Sequence, residues 1–346
     1  MEAASLGLSS GGLARYTGEL SLALARCFPE DEFFLLSDQP FRMPEGAPAN
    51  LKRGGGPRNA AERRWWIWGL DREMHRLGVD LIHGPDFAVP YIPRRPSVLT
   101  LHDLSPWMDP RWHHGAKRVR LRTPLLLDLG IATMIITPGE AVRRQAIEHF
   151  RLQPDRVAAV PEAPAPWLRR VAPPRLPPYF LFVGTLEPRK NLLMLVDAWR
   201  EMRRRHAVDL VLAGRKRADA PLIAEEPGLQ LIGEVPDDKL AELYSGALAL
   251  VCPSLYEGFG LPVLEAMQCG TGVIASRAVA EAGGDAAIYA DDAEAFTRAM
   301  CQAVEQPGWA DDRRALSLKR AGEFSWERTA RLTRAVYVEA RRRFGN

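Results

Sequence analysis

Nowhere does this chain carry an uninterrupted apolar run approaching the ~20 residues a bilayer-spanning helix needs, and Met1 is followed by neither a basic segment nor a long apolar one. Cysteine is scarce: Cys27, Cys252, Cys269 and Cys301 are scattered without a C-x-x-C or metal-ligand spacing, and three of them sit in apolar surroundings that suit a buried thiol. That usage excludes a disulfide scaffold and predicts a reducing compartment, hence a cytoplasmic protein with at most peripheral contact with the inner face of the plasma membrane. Charge of one sign is also lacking. The 46 Lys and Arg residues nearly balance 43 Asp and Glu to a net +3, too little to predict a nucleic-acid partner, and no RNA- or DNA-binding motif is present. The Gly11-Gly12 loop has neither the G-x-G-x-x-G nor the G-x-x-x-x-G-K-[ST] spacing, which removes support for a dehydrogenase or kinase. No D-x-D pair is placed to hold a metal.

The 346 residues suffice for two cores. Short apolar segments alternate with amphipathic helical ones throughout. Strands are expected at Phe33 to Leu36, Leu81 to His83, Ser97 to Leu101 and Met134 to Thr137, then at Tyr179 to Gly184, Asp209 to Ala213, Leu229 to Ile232, Ala247 to Cys252 and Gly272 to Ala275. This alternation predicts two α/β domains with parallel sheets. Between them, Pro161 to Pro178 holds seven prolines and can continue neither sheet nor helix. The expected division is a first domain over 1–165, a linker over 166–178, a second domain over 179–324, and a final helix over 325–346 that begins at Ser325-Trp326 and ends among arginines.

The most informative segment is residues 251 to 270, Val-Cys-Pro-Ser-Leu-Tyr-Glu-Gly-Phe-Gly-Leu-Pro-Val-Leu-Glu-Ala-Met-Gln-Cys-Gly. It reads as a buried strand, a Gly-Phe-Gly turn and a helix opening on Pro262. Unpartnered first-turn N–H groups and the helix dipole favour an anion there, and Gly258 and Gly260 allow a phosphate to approach the backbone. Glu257 and Glu265 flank the turn. Carboxylates repel phosphate, so they are better suited to accept from hydroxyls, and a ligand with a diphosphate between two hydroxyl-bearing ends is a nucleotide sugar. Arg189 and Lys190, after a strand and loop containing Gly184, lie at a helix start where the dipole disfavours cations unless an anion binds; their natural partner is a diphosphate. Asn191 is the expected cap of that helix. His102, at the end of another strand, faces the side where open parallel sheets bind ligands. His83, one strand earlier, is a weaker candidate that reads equally as a satisfied wall residue.

On these residues the chain resembles the retaining glycosyltransferases of family 4: Glu257 and Glu265 match the two acids of their E-x7-E motif. Gly-Gly-Leu-Ala-Arg-Tyr-Thr at 11 to 17, Leu-His-Asp-Leu at 101 to 104 and Val-Gly-Thr-Leu-Glu-Pro-Arg-Lys-Asn at 183 to 191 follow in the family's order. The resemblance implies the GT-B fold, two facing Rossmann-like domains with a C-terminal crossover helix, the donor on the second domain and the acceptor on the first. It places His102, Glu257, Arg189 and Lys190 at the reacting centre. Around the donor it places Gly12, Gly184, Gly258, Phe259, Gly260, Leu261 and Glu265, with Glu257 on sugar hydroxyls and Glu265 on the ribose. The implied reaction moves a hexose, mannose from GDP or glucose from UDP, to a saccharide or lipid-linked acceptor in polysaccharide or glycoconjugate assembly. It proceeds with retention, by a front-face route, with no metal and no cofactor besides the donor. The alternatives are a noncatalytic nucleotide-sugar-binding scaffold and a nucleotide-sugar epimerase.

Three departures from the family pattern matter. Residues 1 to 8 are short and weakly apolar where a full first strand is usual, so the expectation is either a truncated start or a stunted central strand that leaves neighbouring backbone groups without partners. Gly272 stands where the pattern has proline, and the loop from Ser276 to Glu281 is about two residues short. Separately, Arg63-Arg64-Trp65-Trp66-Ile67-Trp68 and the stretch Trp107 to Arg122, with Trp112, Lys117, Arg118, Arg120 and Arg122, predict either contact with an anionic bilayer or a solvated helix face over core tryptophans.

Overall fold

The computed structural model describes the chain except residues 8–10, 114, 173–176 and 345–346, so the middle of the expected linker and the end of the expected first strand lie outside the described residues. The chain divides into two units, Met1–Glu162 with Ser325–Asn346, and Ala163–Phe324.

In the first unit, β1 (Phe33–Leu35) and β2 (Leu51–Arg53) form a parallel pair. β3 (Ile82–Gly84), β4 (Ser97–Thr100), β5 (Met134–Thr137) and β6 (Val157–Ala159) form a parallel sheet in that order. Three N-terminal residues join the two sheets. Leu36 N–H donates to Met1 O at 3.0 Å, Ala3 N–H to Leu36 O at 2.8 Å and Glu2 N–H to His83 O at 2.9 Å. The described part of this segment is an isolated bridge, and against expectation the backbone groups of Leu36 and His83 beside it do find partners in it. Burial there pushes the Met1 ammonium down to about 5, against the attraction of Glu2, and pushes the Glu2 carboxyl up to about 7.

The closing helix Trp326–Phe344 belongs to this unit and packs on the helix Gly12–Cys27. Ser325 Oγ caps it by accepting from Arg328 N–H at 3.2 Å. Arg334 pairs with Asp31 at 2.6 Å, and Thr329 Oγ1 donates to Pro161 O at 2.7 Å. Tyr337 reaches His83, described below.

The second unit is one six-stranded parallel sheet of β7 (Tyr179–Val183), β8 (Asp209–Ala213), β9 (Leu229–Gly233), β10 (Ala249–Cys252), β11 (Gly272–Ala275) and β12 (Ile288–Tyr289), ordered β12-β11-β10-β7-β8-β9. Strands buried on both faces need apolar residues at successive positions. Leu181, Val211, Leu250 and Val273 meet Tyr244, Leu264 and Met267 on one face. Phe180, Phe182, Leu210 and Leu212 meet Trp199, Phe296 and Met300 on the other.

β2, β6 and β12 were not expected from sequence. Each is two or three residues long at a sheet margin, where partial solvation leaves no apolar run to read.

Gly272 has a local reason for departing from the family's proline. A Cβ at this first residue of β11 would lie 2.6 Å from the ring of Trp309 and 2.9 Å from Arg313 Cβ. Trp309 is buried against this strand, so its indole occupies the space a proline ring would need. Gly272→Ala is expected to destabilise the protein by about 1–3 kcal/mol, since overpacking forces backbone or rotamer shifts, and Gly272→Pro by more. Urea denaturation reads both. An unchanged midpoint for Gly272→Pro would show that the indole moves aside freely.

Candidate functional site

In the second unit the sheet begins at β7 and grows to β8 on one side and β10 on the other, so its topological switch point lies between β7 and β10. Loops leaving the C-terminal ends of two such strands diverge and leave a ligand crevice. The loop after β7 passes Gly184, in the left-handed region at φ 153°, and enters the turn Pro188–Lys190 and the helix Leu192–Arg203. The loop after β10 runs through Glu257 to Gly260, at φ 106°, which opens the helix Leu261–Gln268 with Pro262 in its first turn. A side chain at 260 would be strained by that φ and would also meet Val279 Cγ1 at 2.9 Å.

Five charged groups and one serine link these loops. Arg189 Nη1 donates to Glu257 Oε2 at 3.0 Å and to Tyr256 O at 2.9 Å, and its Nε lies 2.7 Å from Glu187 Oε1. Lys190 Nζ donates to Glu257 Oε1, which also accepts from Ser254 Oγ at 2.6 Å. Arg217 donates to Glu187. The side chains of Arg189, Lys190 and Glu257 are only 13%, 9% and 11% exposed. Burial pushes the Glu257 carboxyl up, but the charges of Lys190 and Arg189 and the hydrogen bonds from Lys190 and Ser254 outweigh it and hold the group near 2. Glu257 is therefore an anion down to strongly acid pH, and two cations share it. Glu187 beside Arg189 and Asp219 beside Arg217 complete a network of three cations and three carboxylates, so an anion entering there meets Arg189 and Lys190 as hydrogen-bond donors within a cluster that is balanced in charge.

Glu265 is buried in the helix Leu261–Gln268 and accepts from Tyr244 Oη at 2.9 Å. Gly258 and Leu261 are partly exposed at the mouth of the loop. The ring of Phe259, by contrast, is buried edge-on against Phe324 with centroids 5.8 Å apart, which leaves only its backbone to a ligand. Asn191 stands at the expected cap position but corrects that expectation. It is left-handed at φ 54° and makes no side-chain cap bond. The tight turn through Pro188 that brings Arg189 and Lys190 to Glu257 sets this backbone, so capping chemistry does not.

The first unit holds a second cluster. His102 follows β4, with Nδ1 3.1 Å from Glu162 Oε1 and Nε2 2.8 Å from Pro85 O. Tyr16 stands edge-on to its ring at 4.7 Å. Both ring nitrogens face acceptors, so both are satisfied only when both carry protons. Burial alone lowers the His102 pKa, but the Glu162 hydrogen bond and charge, the Pro85 carbonyl and Asp86 raise it above the usual value. Gly12 opens the helix Gly12–Cys27 at the surface, with open space where a Cβ would be.

His83 is the buried centre of a hydrogen-bond chain, 2.7 Å from both Tyr337 Oη and Thr100 Oγ1, with Thr100 in turn 3.0 Å from Tyr16 Oη. Burial drives its pKa well down, helped by the N-terminal ammonium and His102. It reads as structural, tying the last helix to β3 and β4. Ser254, Glu187, Arg217, Tyr244 and Glu162 escaped the sequence reading. Each is an ordinary polar residue with no local pattern, brought in by a separate loop or helix.

The glycosyl transferases group 1 model matches residues 177–306, and the glycosyltransferase family 4 model matches residues 10–163. The chain is 32% identical over 281 residues to an O-antigen chain mannosyltransferase B of Escherichia coli, covering 74% of each. It is 29% identical over 266 residues to the serotype-specific mannosyltransferase WbdA of the same organism, covering 68% of this chain and 32% of that longer polypeptide. The sucrose-phosphate synthase of Thermosynechococcus elongatus superposes with a TM-score of 0.75 at 20% identity, over 98% of this chain and 97% of that one.

The His102 geometry sets a pH dependence. A raised folded pKa means that the ion pair's contribution to stability is present below about 6.5, the unfolded value, and is lost as pH rises through the folded value. NMR of the His102 ring is expected to show a midpoint above 6.5 that falls when Glu162→Gln removes the carboxylate. A midpoint unmoved by that substitution would show that Glu162 does not hold the proton.

Proposed function

The chain belongs to glycosyltransferase family 4 and has the GT-B fold, and from that premise we propose that it moves a hexose from a nucleotide-diphosphate sugar to a hydroxyl acceptor, in polysaccharide or glycoconjugate assembly. The observation that carries this reading is the convergence of Arg189 and Lys190 on one carboxylate at the switch point of the second unit's sheet. Charge builds on the leaving diphosphate as the glycosidic bond breaks, and these two cations are held ready to meet it. Arg189 offers a planar fork and Lys190 a point charge. Glu257 and Gly258 to Leu261 hold the transferred sugar, Gly184 lets the diphosphate approach and Glu265 takes the ribose; within the first unit, His102 and Gly12 have the roles that the family resemblance implies. The mannosyltransferase relatives favour mannose as the hexose.

Retention and metal independence complete the proposal. Double displacement needs a free carboxylate nucleophile, whereas Glu257 is held by three donors and is only weakly basic. This favours a front-face route in which the leaving phosphate takes the acceptor proton. Arg189 and Lys190 supply the charge that a metal would otherwise provide.

The test is a thermal-shift panel of UDP, GDP, ADP and their sugar conjugates, followed by transfer assays with the donor it identifies. A ligand at a hundred times its dissociation constant stabilises by about 2.7 kcal/mol. Lys190→Ala is expected to abolish that shift and lower turnover by ~10²–10³, with EDTA without effect and the product anomer matching the donor. Donor consumed without acceptor would indicate an epimerase, a thermal shift without turnover a nucleotide-sugar-binding scaffold, and no response from folded protein would overturn the donor-site reading.

The acceptor proposal extends to a lipid-linked molecule at an anionic bilayer. Among the described residues no helix is long and apolar enough to cross a membrane, so contact would be peripheral. Supporting it, the helix Lys117–Asp128 and the residue following it bear Leu121, Leu125 and Leu129, exposed by 68%, 55% and 65%, at a spacing that makes one stripe, with exposed Lys117 and Arg118 nearby. The sequence reading stressed tryptophans and arginines instead. Trp65 is buried, and Arg120 is committed to the carbonyls of Pro106 and His113. Sedimentation with anionic phospholipid vesicles is expected to fall several-fold in a Leu121→Gln/Leu125→Gln variant. Equal sedimentation of variant and wild type would remove the stripe from the account.

A further inference from the structure

Toward the N-terminal end of β8, at the opposite end of the second unit's strands from Arg189 and Lys190, three unlike ligand groups come together. Cys301 and Glu305 stand four apart on one face of the helix Ala293–Glu305. His206 approaches from the turn between the helix Leu192–Arg203 and β8. One ligand atom from each, a sulfur, a carboxylate oxygen and an imidazole nitrogen, all lie within 4.8 Å of one another, and His206 Nε2 is 2.8 Å from Glu305 Oε1. Donor atoms around a tetrahedral zinc at its usual bond lengths stand about 3.5 Å apart. Small side-chain rotations therefore suffice to close this set on an ion.

The scaffold beneath it is rigid. His206 N–H donates to Met202 O at 3.2 Å and Val208 N–H to His206 O at 2.8 Å, so the histidine backbone is held on both sides. Thr297 Oγ1 donates to Ala198 O at 3.1 Å, and Phe296 and Met300 pack against Trp199 and Met202, which locks the two helices together. Cys301 is buried while Glu305 faces solvent. A cavity of about 790 Å³ adjoins the pair, and Glu201 lines it. It leaves room for a water or the Glu201 carboxylate as a fourth ligand.

We propose that His206, Cys301 and Glu305 form a zinc site that staples the turn before β8 to the helix Ala293–Glu305. The donor set decides the metal. Thiolate with imidazole suits a borderline-soft ion and excludes magnesium and calcium, which take oxygen ligands. Binding exchanges the Cys301 thiol proton for the metal: the S–H bond breaks, an S–Zn bond forms, and one proton leaves to solvent. The site stands at the N-terminal end of β8, whereas Arg189 and Lys190 follow the C-terminal end of β7. Its role is structural, and it holds whether or not the transferase reading does.

The test uses full-length protein stripped with a chelator and titrated with Zn²⁺ against a chromophoric competitor, and with Co²⁺ as a spectroscopic substitute. One Zn²⁺ per chain is expected, with a thiolate-to-cobalt charge-transfer band and a raised melting temperature. Cys301→Ser and His206→Gln are each expected to weaken binding by about tenfold or more, and Cys27→Ser, which alters a cysteine of the other unit, to leave it unchanged. Apo melting temperatures report whether each variant folds. Wild-type affinity no greater than that of folded Cys301→Ser, or a cobalt spectrum without the thiolate band, would overturn the proposal.

Discussion

The ion cluster of Arg189, Lys190 and Glu257 is the constraint on which the second unit's site depends. It joins two loops that leave adjacent strands in divergent directions, and Leu255 N–H donating to Arg189 O at 2.9 Å adds a backbone tie. Burying Arg189 and Lys190 with Glu257 and Glu187 is costly unless each charge is met, and removing one member of a buried pair typically costs about 3–5 kcal/mol. The surrounding polar groups reduce that cost. Ser254 donates to Glu257, and Ser254 is itself held by Ser276 Oγ, which donates to Ser254 O at 2.5 Å. Glu187 and Arg217 extend the network on the side of Arg189. With Asp219 on Arg217 the network is balanced in charge, and it sits where the sheet topology opens a crevice and where the helix Leu261–Gln268 begins. The donors of Arg189 and Lys190, the crevice and the helix dipole thus meet at one place.

The first unit solves a different problem. Its sheet is nearly split at the N-terminus, and three residues, Met1 to Ala3, carry the hydrogen bonding from β1 to β3. The closing helix compensates by packing on the helix Gly12–Cys27 and sending Tyr337 into the buried chain of His83, Thr100 and Tyr16. His83 and His102 then take opposite electrostatic characters within one unit. His83 has hydroxyls as partners and is driven neutral by burial, whereas His102 faces a carboxylate and a carbonyl and is driven toward the imidazolium. Desolvation acts on both, and the charge of Glu162 decides the difference.

Much of this was legible in the chain itself. Apolar runs at 134–137, 209–213 and 272–275 matched strands at both ends, because strands covered on both faces need consecutive apolar residues. The glycine turn before Pro262 led to the expectation of an anion, and the pair Glu257 and Glu265 to that of hydroxyls beside it, from local chemistry alone. Marginal strands, the left-handed turn at Asn191 and the inward ring of Phe259 were not legible. Their states depend on neighbours distant in sequence: Glu257, which holds Arg189 and Lys190, for the turn, and Phe324 for the ring. The leucine stripe of the helix Lys117–Asp128 escaped notice for a related reason, since periodicity identifies a helix face without saying whether anything covers it.

The sequence by itself determined the α/β class, most of the strands, the family and the residue types at the turn before Pro262, because these depend on local periodicity, glycine freedom and short motif spacing. Only the tertiary structure decided which charges meet. It paired Glu257 with both Arg189 and Lys190, gave Glu162 to His102 and hydroxyls to His83, filled the space at Gly272 with Trp309, and gathered His206, Cys301 and Glu305 at the opposite end of the strands. Pairing energies depend on distance and burial between residues from a few to more than two hundred positions apart, and no local pattern in a chain encodes either.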